Sequence, residues 1–320
     1  MSQTLSLNNV IITYDSVVVK QENALQKWAE KKIRADKVSE RMKLIGYYAR
    51  GERMSNCSDV VTYRLCPECG EFHVKRANLC RDRFCPICSW RLSLQRFGAM
   101  SRVMASLQNG YPEYKYSLVT LTVKNCVADK LSETMFAMSS AWHLAINQRR
   151  VKAFVVGWAR SVEITYNQET QEFHPHFHCI LMTPPESMAD YALLAEWEKA
   201  CAKKGLKTYI KAQNTTEIQA KDGEKLIKSI LETIKYAIKT DEMTNVPLKK
   251  FRSLVDGISK KRLFSSGGLI KEYMKNCGVT VAEMENATEE NNDLVICNKC
   301  GTETLEIIYK WAFGAKRYEI

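Results

Sequence analysis

Residues 154–166 read FVVGWARSVEITY and residues 173–182 read FHPHFHCILM, and these two stretches decide the fold. Both are rich in β-branched and aromatic residues, which predicts two strands. A third strand is predicted near residues 116–124, YSLVTLTVK. Helices are predicted over 128–150, 189–204 and about 223–239, and a further strand over 207–213. The sequence therefore predicts a mixed α and β domain built around these strands.

Three of the five histidines in the chain fall within the second stretch, at His174, His176 and His178. Side chains alternate between the two faces of a strand, so these three project to one side and Pro175 and Phe177 to the other. Imidazoles spaced about 7 Å apart in this way can converge on one cation. The alternative is that they form only the polar edge of a sheet.

Glu163 lies in the first stretch, opposite the apolar face formed by Val162, Ile164 and Tyr166. If the two strands pair, Glu163 lies beside the histidines. Two imidazoles and a carboxylate suit Mn²⁺ or Mg²⁺ better than structural zinc, because the carboxylate is a hard ligand and open positions remain for a phosphate. The alternative is an ordinary surface carboxylate.

The chain has 12 cysteines, and their clustering suggests metal binding before it suggests disulfides. Two CxxC pairs, Cys66/Cys69 and Cys85/Cys88, can supply four thiolates to one structural Zn²⁺. Cys80 is a possible extra ligand and His73 an alternative. A third pair, Cys297/Cys300, has no clear partner pair, and with Cys277 it would still not complete a site.

Four arginines lie in or beside the cysteine-rich segment: Arg81, Arg83, Arg91 and Arg96. We expect the zinc module to present these side chains to DNA phosphates. The alternative is a module that only braces the rest of the protein.

Residues 231–239, LETIKYAIK, have helical character. Glu232 and Tyr236 are four residues apart and share one face of this helix, and Lys239 lies near the same stripe. On the helix alone, an ordinary surface pair explains the pattern equally well. Tyr209 and Tyr273 are other candidate nucleophiles.

These motifs resemble a known family. The element His176-Phe177-His178 resembles the His-hydrophobic-His element of the HUH endonucleases. GWARSVEITYN and HPHFHCIL resemble the replication initiators of small rolling-circle plasmids in particular, and CRDRFCPICSWR at 80–91 resembles their cysteine-rich N-terminal region. Tyr236 and Lys239 match the Tyr-x-x-Lys motif of that family. The resemblance covers roughly residues 60–245.

The resemblance implies an α+β fold, with an HUH or ferredoxin-like catalytic core of central antiparallel sheet and flanking helices. It places the histidines on a middle strand, after a small N-terminal zinc module. It implies that His176, His178 and Glu163, with His174 as a further candidate, hold a catalytic metal. Tyr236 would then form a 5′-phosphotyrosine with DNA, assisted by Lys239, and Glu232 would activate water for the last cut.

We expect four regions along the chain. They are a basic helical segment at 1–60, a zinc-binding CxxC module at 61–97, a catalytic domain at 110–245, and a basic C-terminal region at 246–320 with an acidic linker and a CxxC tail.

The net charge of +11 and a pI of about 9.0 favour a polyanionic partner. We expect its partners to be plasmid origin DNA, both double-stranded and single-stranded, together with a host polymerase and a host helicase. The helicase is expected because the sequence contains no GxxxxGK[ST] phosphate loop that could power unwinding. No apolar run is long enough for a membrane helix and no signal peptide is evident, which predicts a cytoplasmic protein with no membrane partner.

Other functions share part of this pattern. A transposase of the HUH type shares the metal and the tyrosine, whereas a conjugative relaxase usually places its tyrosine ahead of the histidines. A non-catalytic zinc-dependent DNA-binding protein would keep the cysteines but does not need HPHFH. A metal hydrolase of small molecules leaves the cysteines and the positive charge without a role.

Overall fold

The computed structural model describes residues 14–185, 189–208, 214–218, 230, 232–233, 240–287 and 295–320. Two compact units are present, one formed by Met1–Cys88 with Thr288–Ile320 and the other by Ser89–Ala287. We call them the discontinuous unit and the central unit. Among the helices that the structure describes, none combines the length and apolar character needed to span a bilayer.

In the residues that the structure describes, the discontinuous unit contains two complete helices, the first turn of a third, and a four-stranded sheet. Its elements are α1 (Tyr14–Leu44), α2 (Tyr48–Ser55), β1 (Val60–Leu65), β2 (Phe72–Ala77), β8 (Leu305–Ala312) and β9 (Arg317–Glu319). The strand order is β2-β1-β8-β9 with antiparallel pairing throughout. Because β8 follows β1 by some 240 residues in the sequence, the C-terminal segment completes a sheet that the N-terminal segment begins.

The long helix α1 packs through one apolar stripe that includes the buried side chains of Trp28, Ala35, Val38 and Met42. Their spacing of three, four and seven residues places them on one face. Lys32 lies on the same buried stripe, where its ammonium forms an ion pair with Asp59 at 2.6 Å and donates to the Cys57 carbonyl at 3.1 Å. A buried charge is tolerated here because it is paired and hydrogen-bonded.

The described part of the central unit contains a five-stranded sheet with helices on both faces. Its elements are α3 (Pro86–Gly110, whose first turn belongs to the discontinuous unit), β3 (Lys115–Thr122), a 3₁₀ turn (Ala128–Lys130), α4 (Leu131–Ile146), α5 (Arg149–Lys152), β4 (Gly157–Asn167), β5 (Glu172–Thr183), α6 (Ala189–Lys203), β6 (Asn214–Ile218), α7 (Thr240–Asn245), α8 (Leu248–Ile258), β7 (Phe264–Gly267), α9 (Gly268–Asn276) and α10 (Val281–Glu285).

The strand order of this sheet is β6-β3-β5-β4-β7, and each neighbouring pair is antiparallel. The predicted α+β class with antiparallel strands and flanking helices is therefore confirmed. β5, which carries the histidines, is the middle strand. The strand predicted over 207–213 falls largely on residues outside those described, and the strand that the structure does show begins at Asn214.

The central strand is buried on both faces, which explains why Cys179–Met182 form a continuous apolar run. On one face Phe177 packs edge-on against Trp142 of α4 and Trp197 of α6. On the other face Ile180 and Met182 belong to a hydrophobic cluster with α3 and α9. His176 and His178 precede Ile180 and Met182 along β5 with the same alternation, so the histidines lie on that same face, toward the N-terminal end of the strand.

Candidate metal centre

The centre is built on the pairing of β4 with β5. In their register Glu163 lies opposite His176, and Ser161 lies opposite His178. Residues directly opposite each other in an antiparallel pair have side chains on the same face. This confirms the predicted pairing of the two strands and the predicted position of Glu163 beside the histidines.

Glu163, His176 and His178 form a compact buried group. One donor atom from each lies within 4.8 Å of the others. Glu163 Oε2 is 2.9 Å from His178 Nε2 and 3.5 Å from His176 Nε2. The three residues are between 4% and 8% exposed, so the group is shielded from bulk water.

The other ring nitrogen of each histidine faces an oxygen atom. His178 Nδ1 lies 3.3 Å from the Thr120 hydroxyl on β3, and His176 Nδ1 lies 3.2 Å from the carbonyl of His174. When Nδ1–H donates to such an oxygen, the Nε2 lone pair is left available for a cation. Thr120 was not anticipated from the sequence, since only the pairing of Thr120 with His178 reveals it.

The carboxyl of Glu163 is strongly perturbed. Burial by itself would raise its pKa, but the hydrogen bonds and charges of His176 and His178 outweigh burial and lower the pKa well below its usual range. Glu163 is thus an anion at neutral pH. An anionic carboxylate between two imidazoles is the charge distribution that a divalent cation requires.

His174 does not join this group, which corrects the prediction that it is a further metal ligand. Its Nδ1 donates to Asn125 Oδ1 at 2.8 Å, and its ring stacks on that of His176 with centroids 5.1 Å apart. Burial and the neighbouring His176 lower the pKa of His174. The reason is position along the strand: His174 pairs with Thr165, two residues beyond Glu163.

Glu232 lies next to the centre. Its Oε1 is 3.7 Å from His178 Nε2, and its side chain is one-third exposed. Residues 230, 232 and 233 are helical, and Ile230 and Thr233 are buried at 2% and 0% exposure. Ile230 belongs to the hydrophobic cluster beneath the sheet. Glu232 is therefore held on a packed backbone beside the histidines.

The other predicted residues of the tyrosine helix, Tyr236 and Lys239, lie outside the described residues, as does the alternative nucleophile Tyr209. Tyr273, the other alternative, is described. It lies on α9 with its ring 6.1 Å from that of Tyr111, as part of the hydrophobic cluster.

The donor set fits a hard divalent cation. Ligands at right angles with bonds of about 2.1 Å are about 3 Å apart, close to the separations of Glu163 Oε2 from the two Nε2 atoms. Two nitrogens and one oxygen leave coordination positions open, as a catalytic rather than a structural site does.

The cysteines are grouped differently from the prediction. Cys85 and Cys88 lie with Cys57 and Cys80, whereas Cys66 and Cys69 lie with Cys297 and Cys300. The two CxxC pairs predicted to share one site are separated because the β1–β2 hairpin carries one pair away, while the other opens α3. Cys80 is in a group, as considered, and His73 instead contacts Glu71 at 3.3 Å. Cys57 was missed because it stands alone in the sequence.

The four predicted DNA-binding arginines differ in position. Arg81 is exposed and Arg83 half-buried. Arg91 is only 9% exposed and lies over the ring of Trp90. Arg96 is 3% exposed, and its Nε donates to the Met284 carbonyl at 2.5 Å. Arg96 is thus a packing residue of α3, which corrects its predicted role.

These features define an α+β protein whose central antiparallel sheet carries a buried group of two histidines and one glutamate that could hold a metal ion. The replication protein family matches residues 71–319. Because this match covers most of the chain, the protein belongs to the replication protein family.

Several relatives are similar over nearly the whole chain. Protein rep of Streptococcus pneumoniae serotype 2 (strain D39 / NCTC 7466) is 28% identical over 84% of this chain and 82% of its own length. Protein rep of Bacillus amyloliquefaciens is 28% identical over 91% and 93%. Protein rep of Lactiplantibacillus plantarum is 27% identical over 94% and 98%. No solved structure matches this protein significantly. The predicted resemblance to plasmid replication initiators is confirmed.

Proposed function

We propose that this replication protein is a metal-dependent tyrosine endonuclease and strand transferase, with an HUH-type catalytic core, that nicks and rejoins one DNA strand at a plasmid origin. The observation that carries the proposal is the buried group of Glu163, His176 and His178 with the Glu232 carboxylate 3.7 Å from His178. A protein that only binds DNA has no use for such a centre.

Glu163, His176 and His178 would hold one divalent cation, Mn²⁺ or Mg²⁺. When bound, that cation polarises the scissile phosphate and stabilises the negative charge that builds on its oxygens. The chain's own contribution is to keep the Glu163 carboxylate anionic and to orient the two imidazoles. Thr120 and the His174 carbonyl do this for the two imidazoles.

Tyr236 is the proposed nucleophile. Its phenolate oxygen attacks phosphorus, the bond from phosphorus to the 3′ oxygen breaks, and the leaving oxygen takes up a proton to become a 3′-OH. The new phosphotyrosine ester retains the energy needed for rejoining. Lys239, three residues after Tyr236 in the sequence, would favour the phenolate form of a group whose ordinary pKa is about 10. A host polymerase would extend the 3′-OH, and a host helicase would open the duplex.

Glu232 is the proposed base for termination. After one round of copying, a carboxylate beside the centre can accept a proton from water, whose oxygen then attacks the phosphate in place of a second tyrosine. Glu232 is one-third exposed, so water can reach it. Its carboxylate stands beside, and not within, the three-residue donor group.

The cysteine-rich segment is proposed to bind DNA. A structural zinc ion held by Cys57, Cys80, Cys85 and Cys88 would fix the loop that carries Arg81 and Arg83, whose guanidinium groups suit phosphate contacts. The net charge of +11 supports a nucleic-acid partner. We propose that the protein acts in the cytoplasm, where plasmid DNA and these host proteins meet.

Incubation with single-stranded origin DNA and Mn²⁺, followed by mass-spectrometric mapping of the modified tyrosine, tests the mechanism. Tyr236→Phe should abolish nicking and the covalent adduct while origin binding, measured by gel shift, is unchanged. Tyr273→Phe is the matched control and should keep the adduct. An adduct that persists in Tyr236→Phe would remove Tyr236 from this role.

A further inference from the structure

Eight of the 12 cysteines form two groups of four, and both groups belong to the discontinuous unit. One contains Cys57, Cys80, Cys85 and Cys88. The other contains Cys66, Cys69, Cys297 and Cys300, and its closest pairs are 234 and 228 residues apart in the sequence. We call this second set the clasp cysteines, because it brings together the β1–β2 turn and the segment before β8.

The sulfur separations within the clasp cysteines suit a shared metal. Cys66 Sγ lies 3.3 Å from Cys300 Sγ, and Cys69 Sγ lies 3.5 Å from Cys297 Sγ. A disulfide requires about 2.05 Å. Four thiolates around Zn²⁺ with bonds of about 2.3 Å are about 3.8 Å apart. The observed separations are thus far longer than a disulfide and slightly shorter than a zinc tetrahedron.

The two halves of the clasp have the same backbone structure. Each is a CxxC followed by a glycine with positive φ, +67° at Gly70 and +74° at Gly301. In each half the glycine N–H donates to the carbonyl of the first cysteine, from Gly70 to Cys66 at 3.0 Å and from Gly301 to Cys297 at 2.8 Å.

The two halves also share a hydrogen bond to the residue that follows the glycine. The N–H of the first cysteine donates across the turn at 2.8 Å in both halves, from Cys66 to Glu71 and from Cys297 to Thr302. Two turns with the same hydrogen-bond pattern thus bring four sulfur atoms within 4.8 Å of one another. Only a glycine takes the positive φ at the fifth position without strain.

The clasp also continues the sheet of the discontinuous unit. β1 and β8 pair from Val60 with Lys310 through to Leu65 with Leu305, and Cys66 directly follows the last of these pairs. A metal bound by the clasp cysteines would link the end of β1 to the start of β8, where Leu65 pairs with Leu305. The other cysteine group does not consist of two matching turns, because its Cys85 and Cys88 lie at the start of α3.

We propose that the clasp cysteines bind a Zn²⁺ ion of their own, so that the protein carries two structural zinc ions and the second one ties residues 295–320 to the N-terminal sheet. The two sites share no ligand, and each supplies four thiolates, the donor type that selects zinc in a closed structural site. This proposal does not depend on the nicking mechanism.

Zinc stoichiometry tests the proposal. The full-length chain is purified under reducing conditions with His176→Ala and His178→Ala, so that the His-Glu centre does not contribute to the count. Elemental analysis and native mass spectrometry should give two zinc ions per chain. Adding Cys297→Ser with Cys300→Ser should leave one, and adding Cys85→Ser with Cys88→Ser should also leave one. Cys201→Ser, which lies outside both groups, should leave two.

A second measurement covers variants that fold poorly. In the parent chain with Co²⁺ in place of zinc, both sites should show the thiolate charge-transfer bands of tetrahedral cobalt. Titration of the zinc-bound parent with a mercurial, which reacts with cysteine thiols, should release two metal ions per chain. One metal ion per chain in the parent, iron in place of zinc, a mass lower by two hydrogens from a disulfide, or two ions retained after loss of Cys297 and Cys300 would each overturn the proposal.

Discussion

At the scale of single residues, the centre depends on side chains that touch the histidines without being ligands. Thr120 faces His178 Nδ1 at 3.3 Å from the neighbouring strand. A hydroxyl there can accept a hydrogen bond from Nδ1–H, which orients the ring with Nε2 toward Glu163. Such supporting contacts typically contribute 10- to 100-fold in metal affinity, in round terms.

Thr120→Val should therefore raise the Mn²⁺ concentration that gives half-maximal nicking by about 10- to 100-fold. The maximal rate at saturating Mn²⁺ should change little, because valine has the same shape and only the hydrogen bond is lost. Thr120→Ser keeps the hydroxyl and is the matched control. An unchanged Mn²⁺ requirement in the valine variant would show that the contact does not support the metal.

Glu232→Ala should still nick and form the covalent adduct, but hydrolysis at termination should slow by about 10²- to 10⁴-fold, the usual contribution of a general base. Over-length single strands should then accumulate on denaturing gels of the replication products. Glu133 is an exposed residue of α4 that forms an ion pair with Lys130, and Glu133→Gln is the control that should terminate normally. Normal termination in Glu232→Ala would make this carboxylate a bystander.

At the scale of elements, one glycine fixes how α9 starts after β7. Gly268 has φ +56°, and a Cβ there would lie 2.1 Å from the Val156 carbonyl oxygen. The following N–H, of Leu269, donates to that same oxygen at 2.9 Å. The atoms that a Cβ at Gly268 would meet belong to the backbone of Val156 and Gly157, which cannot move aside as a side chain can. Only glycine therefore fits at this position beside β4.

Gly268→Ala should lower the free energy of unfolding of the central unit by about 2–4 kcal/mol, from the positive φ and the backbone clash together. Gly278 also has positive φ, +68°, but has open space where a Cβ would be. Gly278→Ala should thus cost only the conformational part, about 1–2 kcal/mol. Urea denaturation of both variants measures the difference, and equal losses would contradict the role of the clash.

The elements also show how far the sequence alone reaches. Alternation along 173–182 predicts which side the histidines take, and it is correct because the register that pairs Glu163 with His176 is set by apolar neighbours on both faces. The same alternation wrongly includes His174, because it predicts which face of the strand a side chain is on but not how far along the strand it lies from Glu163. Thr120 and Asn125 contact the histidines from other parts of the chain, and no local pattern indicates this.

The cysteines illustrate the same limit over a longer distance. Spacing predicts that each CxxC pair binds metal, but it does not specify which pair meets which. Cys57 has no CxxC partner, and the partners of Cys66 and Cys69 lie more than 220 residues away. The grouping is decided by the pairing of β8 with β1, which brings the C-terminal CxxC pair to the one in the β1–β2 turn.

At the scale of the whole molecule, the two units differ in the interactions available to stabilise them. The central unit has a sheet covered by aromatic and aliphatic side chains on both faces. The discontinuous unit holds both cysteine groups, and part of its sheet is contributed by a segment from the far end of the chain. Metal bound only by the folded form adds its binding free energy to folding, so zinc should stabilise this unit selectively.

Removal of zinc with a strong chelator under reducing conditions should therefore loosen one unit and spare the other. Hydrogen exchange followed by mass spectrometry should show loss of protection in β1 and β8, whereas β4 and β5 keep theirs. Because closing a loop of more than 200 residues is costly in entropy, the β1–β8 pairing should be the first to lose protection, and added Zn²⁺ should restore it. Equal loss in both units would mean that zinc supports the whole chain and that the central sheet does not fold on its own packing.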